Sequence, residues 1–456
     1  MTLFDPADPR PVHFMGIAGA GMSGLALIAR QRGVGVSGCD TDPSGAADLV
    51  AMGAQVWQGH DPAHINGVRA VVVTAAVPTD HPELARARAL GLPVVPRKEA
   101  LAELVKQGRT IGIAGTHGKS TTTVMVTEAL VAAGLAPTGL AGGRVQGWGG
   151  NALSGDDRIF VVESDEYDQA FLALNPSIAV VNNIEADHLE CYGSLASLEE
   201  AFARFAGRAE RVLAGADDPG AQRMAARLGR KVWRFGLGEA EIRITEVELA
   251  ETGSRATVVL ADGRRIPLRL RVPGLHNVRN ATAALGVVAA LDAPLEPALA
   301  ALAVYGGLGR RFERLGEVNG VAVVDDYAHH PTELAATLAA ARQAYPGRRI
   351  VAVFQPHLYS RTAQHGTAMG EALAAADLVI VADVYGAREQ ALPGVTGGLV
   401  ADAARRAGAE TIYEPVRARL TDRVQEVIRA GDLVLTMGAG DVTRVGRELV
   451  ACLPAA

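Results

Sequence analysis

The residues with the most distinctive chemistry lie between positions 115 and 121, where the chain reads Gly-Thr-His-Gly-Lys-Ser-Thr. Two glycines followed by a lysine and a hydroxyl are typical of a loop that binds phosphate through backbone N–H groups. In such a loop the lysine reaches the outer phosphates and the hydroxyl holds Mg²⁺. The full Walker spacing would place glycine at 113, where Ile113 stands, so we interpret this as a shortened phosphate loop. The alternative is an ordinary turn with a surface lysine.

The segments on either side of this loop favour the phosphate-binding interpretation. The apolar run from Thr110 to Ala114 predicts a short buried strand, and the run from Thr121 to Ala133 predicts a helix. Strand, glycine turn and helix are the context that a phosphate loop requires. Lys119 is also one of only four lysines in a chain with forty arginines, which indicates that the chemistry at this position needs a lysine.

A second glycine-rich turn lies near the start of the chain. An apolar run, this turn, a helical stretch to about Gln31 and a further run ending on Asp40 predict a Rossmann-type βαβ unit. Gly19-Ala-Gly21-Met-Ser-Gly24 matches the dinucleotide fingerprint, with Asp40 placed to contact a ribose hydroxyl. By itself this pattern predicts a nicotinamide or flavin enzyme, or only a tight packing turn. The physics is generic, because a helix N-terminus with bare glycine backbone accepts any diphosphate, including that of a UDP-sugar.

A carboxylate and a histidine follow two predicted strands after the phosphate loop. The strand at 158–163 ends on Glu163, and the strand at 177–183 is followed by His188. Ligands of an open parallel sheet collect at the carboxyl ends of its strands, so both side chains are expected near Ser120. A hydroxyl, a carboxylate and a neutral imidazole make a reasonable Mg²⁺ environment, although imidazole is an unusual ligand for this ion.

The segment after the predicted metal ligands has a different pattern of apolar residues. Residues 232–271 alternate apolar and polar residues around an Asp262-Gly263 turn, which predicts antiparallel hairpins. An alanine-rich helix then opens with Asn277 and Asn280, which lie three residues apart on one face of its first turn. Capping is the simplest role for this pair.

The last third of the chain predicts another α/β unit. Strands are expected at 321–324, 350–354, 378–381 and 433–437, each followed by a loop and a helix. Polar residues cluster directly after these strands, at 325–331, 355–361, 383–388 and 438–441. Four such clusters on one predicted sheet edge indicate a binding site.

Length and composition limit the classes of fold and function. A chain of 456 residues is expected to form two or three domains, and we place them at residues 1–107, 108–308 and 309–456. A hydrophobic content of 49% and a net charge of −6, without a basic run, predict a soluble protein with no nucleic-acid partner. Three widely spaced cysteines make no metal-binding spacing and favour a reducing cytoplasm. No apolar run is long enough to span a membrane.

Several of these motifs together resemble the Mur ligases, ATP-dependent amide-forming enzymes of peptidoglycan synthesis. The motifs are GTHGKST at 115–121, HNVRN at 276–280, RRFE at 310–313 and DDYAHHP at 325–331. MGIAGAGMSGLA at 15–26, the histidine inside the phosphate loop and FQPHLYSRT at 354–362 resemble the branch of the family that joins L-alanine to UDP-N-acetylmuramate. The resemblance runs from about Val12 to Glu448, nearly the whole chain.

The resemblance implies an α/β protein of three domains. They are a Rossmann-like N-terminal domain for the UDP-substrate, a central P-loop ATPase-type parallel sheet with added antiparallel strands, and a C-terminal Rossmann-like α/β domain. The C-terminal domain is expected to carry the amino acid and to close over the site. With ATP and Mg²⁺, the lactyl carboxylate of UDP-N-acetylmuramate would be phosphorylated, and the amine of L-alanine would displace phosphate. His188 or His329 could serve as the base, and a monomer or weak homodimer is expected.

Matched residue by residue, the resemblance also implies the members of each site. ATP is expected at Gly115, Thr116, His117, Gly118, Lys119, Ser120, Thr121, Asn277 and Arg311. The catalytic set is Lys119, Glu163, His188, Asn277, Asn280, Arg311 and Asp326, with Ser120, Glu163 and His188 as metal ligands. The UDP-substrate is expected at Gly16, Gly19, Gly21, Met22, Ser23, Asp40, Thr74 and Arg97. The amino-acid pocket is expected at His329, His357 and Arg361, the last pairing with the substrate carboxylate.

The chain departs from the family pattern in two places, and three other functions remain as alternatives. Ser120 stands where threonine is usual, and no lysine occurs between Lys119 and Lys231, where several relatives carry a modified lysine that bridges metals. A recycling ligase for a tripeptide would share the ATP machinery and differ near His357 and Arg361. An NAD(P)-dependent oxidoreductase would leave Lys119 unexplained, and a nucleotide-gated binding protein would lack the histidines of the acceptor pocket.

Overall fold

The computed structural model describes residues 2–229, 232–387 and 389–452. The backbone groups into two compact units. The first contains the residues up to 245 together with 257–268 and 279–304, and the second contains 246–256, 269–278 and the chain from 305 onward. None of the helices in the described residues has the length and apolar character that a membrane span requires.

The N-terminal part of the first unit is built on one parallel sheet. Its elements are β1 (Val12–Met15), α1 (Ala20–Gln31), β2 (Val36–Asp40), α2 (Ala47–Ala51), β3 (Gln55–Gln58), β4 (Ala70–Val73), α3 (Pro82–Ala89), β5 (Val94–Pro96) and α4 (Arg97–Val105). The strand order is β3-β2-β1-β4-β5, with every pair parallel. This confirms the predicted Rossmann-like unit. The order reverses beside β1, and open sheets of this kind bind ligands at such a point.

The central part is a larger sheet. Its elements are β6 (Arg109–Ala114), α5 (Lys119–Ala132), β7 (Thr138–Val145), β8 (Gly150–Leu153), β9 (Ile159–Glu163), β10 (Ile178–Val181), α6 (Leu189–Tyr192), α7 (Leu195–Gly207), β11 (Arg211–Gly215), α8 (Pro219–Arg227), β12 (Trp233–Gly236), β13 (Ile242–Ala250), β14 (Gly253–Val259), β15 (Arg265–Leu270), α9 (Leu275–Ala290) and α10 (Leu295–Val304). The ten strands follow the order β15-β14-β13-β12-β11-β10-β6-β9-β7-β8. Pairing is parallel from β13 to β7, while β8 is antiparallel.

Two local predictions for the central part were wrong. Helix α5 begins at Lys119 rather than Thr121, because Gly118 in a left-handed conformation turns the chain directly into the helix. The segment 232–271 is not made of antiparallel hairpins throughout, since β12 pairs in parallel with both β11 and β13. Alternating apolar residues report burial of one face of a strand and carry no information about the direction of its neighbours.

Helix α1 connects the two sheets of the first unit. It packs on β7 and β8 of the central sheet. The apolar core beneath the N-terminal sheet, which includes Phe14 and Leu25, belongs to the same buried cluster as Phe160 and Val162 of β9. Because α1 starts at the glycine turn of residues 16–24, this packing brings that turn towards the carboxyl end of β9.

The second unit carries a third sheet. Its elements are β16 (Glu313–Val318), β17 (Val321–Asp326), α11 (Pro331–Ala344), β18 (Ile350–Phe354), α12 (Tyr359–Leu373), β19 (Leu378–Val381), α13 (Gly397–Arg406), β20 (Thr411–Tyr413), α14 (Arg417–Val427), β21 (Leu433–Met437) and α15 (Thr443–Cys452). The order is β16-β17-β21-β18-β19-β20, parallel except for β16. The four predicted strands form the centre of this sheet, and the two edge strands were not predicted.

Candidate active site

The predicted phosphate loop, residues 115–120, has the backbone conformation that its glycines suggest. Gly115 and Gly118 have φ of +138° and +78°, a region that other residues rarely adopt. A Cβ added to Gly118 would lie 2.7 Å from Oδ1 of Asn280, which is therefore positioned directly over the loop. Only a bare backbone fits under this amide.

Residues that follow β10 hold the loop in place. The N–H of His117 donates to Oδ1 of Asn183 over 2.7 Å, and the N–H of Glu185 donates to Oγ1 of Thr116 over 2.9 Å. The amide of Asn182 donates to Oγ1 of Thr122, in the first turns of α5, over 3.0 Å. These hydrogen bonds brace the loop against the carboxyl end of β10.

Lys119 lies inside the loop and is paired. Its Nζ donates to the carbonyl oxygen of Gly115 over 2.7 Å and to Oε1 of Glu166 over 2.9 Å. Glu166 is itself only 1% exposed. Burial acts to lower the pKa of Lys119, but the negative charges of Glu166, Asp165 and Glu163 outweigh it and raise this pKa above its usual value. The ammonium group is therefore charged throughout the physiological pH range.

The three predicted metal ligands lie on the elements expected for them. Ser120 is buried in the first turn of α5, and Glu163 is the last residue of β9, where its carboxylate accepts a hydrogen bond from the N–H of Gly142. His188 follows β10 with a left-handed backbone, φ +53°, and its Nδ1 lies 3.4 Å from Oε1 of Glu190. The oxygen donors of Ser120 and Glu163 suit Mg²⁺. His188 contacts the acidic side chains of Asp187 and Glu190, and its ring lies 5.1 Å from that of Tyr167.

A cleft of about 560 Å³ connects the glycine turn of residues 16–24 to Glu163. Seven of the eight residues predicted to bind the UDP-substrate line it, namely Gly16, Gly19, Gly21, Met22, Asp40, Thr74 and Arg97. The eighth, Ser23, lies in a neighbouring cleft of about 270 Å³, where its hydroxyl donates to the carbonyl of Ala20. Residues that sequence patterns placed in two different domains thus face one cavity.

One cation stands over the glycine turn. A Cβ added to Gly21 would lie 2.6 Å from Nη1 of Arg97, and the same guanidinium lies 3.8 Å from the carboxylate of Asp165. Asp40 accepts a hydrogen bond of 3.0 Å from the N–H of Ala18, so its carboxylate braces the turn. Its predicted contact with a ribose stays a prediction.

In the second unit, the three residues of the predicted amino-acid pocket lie together. The rings of His329 and His357 are 6.3 Å apart between centroids, and Nη1 of Arg361 lies 3.4 Å from Nδ1 of His357. Arg361 is 7% exposed, and Tyr385 stacks on His357 at 5.9 Å. His329 follows β17, His357 and Arg361 follow β18, and Tyr385 follows β19, so the clusters predicted after these strand ends do meet. Arg388, from the predicted cluster at 383–388, lies outside the described residues.

The remaining predicted residues of the second unit have local partners. The guanidinium of Arg311 lies over the ring of Tyr327 at 5.1 Å. Asp326 accepts hydrogen bonds from the N–H of Phe312 and of Ala328, over 2.7 and 2.8 Å. Burial raises the pKa of Asp326 to about 6. Asn277 is the third residue of α9, and its amide donates to the carbonyl of Pro273 over 2.7 Å.

Sequence reasoning missed several residues of this site. Glu166 lies in an acidic stretch that has the composition of a solvated loop, and its burial against Lys119 depends on tertiary packing. Asn182 and Asn183 carried a weak signal, because two amides directly after a parallel strand lie at the edge where ligands bind. His60 lines the cleft without any motif around it.

Three family models match successive parts of the chain. The Mur ligase family catalytic domain matches residues 11–109, the Mur ligase middle domain matches 113–288, and the Mur ligase glutamate ligase domain matches 310–440. Together they span most of the sequence. The chain belongs to the Mur ligase family. The domain boundaries predicted above stay predictions, since a family model does not define where a domain folds.

Several Mur ligases resemble the chain over nearly its full length. The UDP-N-acetylmuramate–L-alanine ligase of Cutibacterium acnes is 45% identical over 464 residues, covering 99% of this chain and 98% of that protein. The enzyme of that name from Acidothermus cellulolyticus is 47% identical, covering 94% and 91%. The solved UDP-N-acetylmuramate–alanine ligase of Thermotoga maritima superposes with a TM-score of 0.84 at 29% identity, covering 97% and 98%. A murein peptide ligase from Psychrobacter arcticus shares the fold, with a TM-score of 0.74 at 24% identity.

Proposed function

We propose that this Mur ligase joins L-alanine to the lactyl carboxylate of UDP-N-acetylmuramate. ATP would be converted to ADP and phosphate, and an acyl phosphate would be the intermediate. The observation that carries the proposal is the single cleft that runs from the glycine turn to Glu163, whose charge acts on Lys119. A cleft that leads from one glycine-rich loop to a carboxylate acting on the lysine of the other suits phosphoryl transfer between a nucleotide and the carboxylate of a second nucleotide-linked substrate.

The phosphate loop would hold the triphosphate of ATP. Its backbone N–H groups and the start of α5 supply partial positive charge, and Lys119 supplies a full charge. Because the raised pKa of Lys119 keeps the ammonium protonated, it can stabilise negative charge on the transferred phosphoryl group at any physiological pH. Binding requires the phosphates to take over from Glu166 as the partner of this ammonium.

Ser120 and Glu163 are the residues that would hold Mg²⁺, because hydroxyl and carboxylate oxygens are the donors this ion prefers. The ion would neutralise part of the phosphate charge when bound. We also propose His188 as a third ligand. Its support is its position after β10, and its described neighbours, Asp187 and Glu190, would keep the imidazole close to negative charge.

The second unit would bind L-alanine and prepare its amine. The buried guanidinium of Arg361 suits the carboxylate of an amino acid. Nδ1 of His329 lies 2.9 Å from the carbonyl oxygen of Tyr327, which fixes a proton on that nitrogen and leaves Nε2 as the basic one. His329 is therefore our preferred base for removing a proton from the alanine ammonium, since only the neutral amine attacks.

The alternatives are less well supported. The phosphate loop and the family membership leave no reason to propose nicotinamide chemistry for the first glycine turn. A tripeptide-recycling ligase would need a larger acceptor pocket, and the relatives that are 44–47% identical carry the name of the L-alanine enzyme. A monomer or weak homodimer in the cytoplasm remains part of our proposal.

Phosphate release from ATP tests the proposed function. The full chain is incubated with ATP and Mg²⁺, with and without UDP-N-acetylmuramate, and with L-alanine, glycine, L-serine or the tripeptide. We expect turnover only when both co-substrates are present, with L-alanine preferred, and no consumption of NAD(P)H. Turnover with the tripeptide exceeding that with L-alanine, or turnover that does not depend on UDP-N-acetylmuramate, would contradict the proposal.

A further inference from the structure

A second cluster of chemically reactive side chains lies in the N-terminal sheet. His13 is in β1, Cys39 in β2, Glu83 in α3 and His60 follows β3. His13, Cys39 and Glu83 are 0% exposed, and their ligand atoms all lie within 4.8 Å of one another. A carboxylate and a thiol buried among imidazoles are expensive to desolvate unless they are paired or bind an ion.

The distances from Cys39 to the other three donor atoms are those of neighbouring ligands in a coordination shell. Sγ of Cys39 lies 3.5 Å from Nε2 of His13, 3.2 Å from Nδ1 of His60 and 3.3 Å from Oε2 of Glu83. Nδ1 of His60 lies 3.4 Å from the same Oε2. Tetrahedral zinc, with Zn–S near 2.3 Å and Zn–N or Zn–O near 2.1 Å, places neighbouring ligand atoms about 3.3–3.6 Å apart.

The outward-facing atoms of these side chains are held by further hydrogen bonds. Oγ of Ser37 lies 3.1 Å from Nδ1 of His13 and so directs Nε2 towards Cys39. Oε1 of Glu83 accepts from the N–H of Asp61 over 2.9 Å and lies 3.1 Å from Nδ1 of His64. Protein metal sites are built in this way, with outer contacts that orient each ligand.

We propose that His13, Cys39, His60 and Glu83 form a structural site for a divalent transition metal, with Zn²⁺ as the ion that best fits the donors. A thiolate with imidazoles and one carboxylate suits Zn²⁺, whereas Mg²⁺ prefers sites made of oxygen alone. On binding, the thiol of Cys39 loses its proton to solvent. The site is separate from Ser120 and Glu163 and does not depend on the ligase reaction.

The position of His60 gives the ion a route to the site and a consequence for the cleft. Its side chain is 25% exposed and lines the cleft that holds the glycine turn, and its ring lies 4.9 Å from that of His81. An ion bound behind His60 would fix its imidazole in the cleft wall. The four ligands come from four separate elements, which is why spacing in the sequence does not reveal them.

Metal titration of the full chain tests the site without any substrate. Protein stripped with a chelator is titrated with Zn²⁺, and separately with Co²⁺, in an excess of Mg²⁺. We expect one equivalent to bind, a rise in Tm with Zn²⁺, and a thiolate-to-cobalt charge-transfer band with Co²⁺. Cys39→Ser, which keeps a hydrogen-bond donor for Glu83, is expected to fold and to lose the band. Cys452→Ser, an exposed position in α15, is the matched control and keeps it.

Two further outcomes decide the assignment. His64→Ala, which removes only an outer contact of Glu83, is expected to keep the band and to weaken Zn²⁺ binding roughly 10- to 100-fold. Equal Zn²⁺ affinity in the wild type and Cys39→Ser, or a Tm that responds to neither chelator nor Zn²⁺, would show that the cluster is only a hydrogen-bonded network around Glu83. Because no ligase substrate is present, failure here leaves the proposed function untouched.

Discussion

The two glycine-rich loops of the first unit, each proposed to bind an anion, hold their cations in different ways. At the glycine turn, Arg97 is partly exposed and lies 3.8 Å from Asp165, whose side chain is more exposed still. At the phosphate loop, Lys119 is buried and its Nζ lies 2.9 Å from Glu166, which is 1% exposed. The first loop therefore has a partly exposed cation beside it, whereas the second keeps its cation in a buried ion pair.

This difference follows from the chemistry each loop is proposed to perform. A loop that only binds a diphosphate needs donors and little else. A loop that takes part in phosphoryl transfer needs a cation held in one place, because catalysis of this kind is almost entirely positioning and electrostatic stabilisation. Substitutions in each loop test whether Lys119 and Arg97 differ in this way.

Removal of Lys119 has the largest expected effect. Lys119→Ala is expected to lower kcat by about 10³-fold or more, because the transferred phosphoryl group loses its fixed charge. Phosphate release under saturating substrates measures this. Lys106→Ala, an ordinary lysine at the end of α4, is the control and should retain activity. Residual turnover within tenfold of the wild type would remove Lys119 from the proposed reaction.

Removing Glu166, the acidic partner in the buried ion pair with Lys119, is expected to destabilise the protein. Glu166→Ala leaves the buried ammonium of Lys119 without its carboxylate and is expected to lower the free energy of unfolding by about 3–5 kcal/mol. Denaturant unfolding measures the loss. In the double variant Glu166→Ala/Lys119→Ala, no charge is left unpaired, so stability should partly recover. Strictly additive losses would show that the two side chains are not coupled.

Replacing one glycine of each loop by alanine compares how strongly an added methyl group destabilises the protein at the two sites. Gly118→Ala is expected to be destabilising by about 1–2 kcal/mol through its left-handed backbone alone, and its Cβ also meets Asn280. Gly21→Ala meets only the flexible end of Arg97, so its effect on stability should be smaller. Thermal unfolding of both variants measures the difference. Equal losses would mean that the glycine turn is as tightly packed as the phosphate loop.

Arg97 is expected to give the smallest effect on stability. Arg97→Ala removes an exposed ion pair, so the free energy of unfolding should change by less than about 1 kcal/mol. Affinity for UDP-N-acetylmuramate is expected to fall by about tenfold, because one charge-assisted contact to an anion is lost. Lys98→Ala is the matched control, since Lys98 is adjacent and paired with Asp168 but does not line the cleft. A similar loss in both variants would indicate a general charge effect.

Much of the fold could be predicted from local patterns. Buried parallel strands read as continuous apolar runs, which is why β18, β19 and β21 were predicted with their observed bounds. The edge strands β16 and β20 were missed because they are half-buried, and β20 has only three residues. The direction of β12 could not be predicted from alternating apolar and polar residues, because that pattern reports only which face of a strand is buried.

Only some residues of the candidate site could likewise be predicted from local patterns. Glycines, Lys119 and Ser120 were recognisable because their spacing along the chain is fixed by the geometry of a single loop. Glu166 and His60 were not, because their roles depend on contacts with residues that are distant in sequence. Ser164-Asp165-Glu166 has the composition of a surface loop, and nothing in it indicates that one of its carboxylates is buried under the phosphate loop.

Calorimetric titration of two variants tests the central claim most directly. Lys119→Ala and Arg97→Ala are each titrated with UDP-N-acetylmuramate and with a non-hydrolysable ATP analogue. Two separate anion-binding loops predict a crossed result. Lys119→Ala should bind the ATP analogue more weakly and keep its affinity for UDP-N-acetylmuramate, whereas Arg97→Ala should bind UDP-N-acetylmuramate about tenfold more weakly and keep its affinity for the ATP analogue. Loss of UDP-N-acetylmuramate binding in Lys119→Ala, in a variant that remains folded, would contradict the assignment of one nucleotide to each loop.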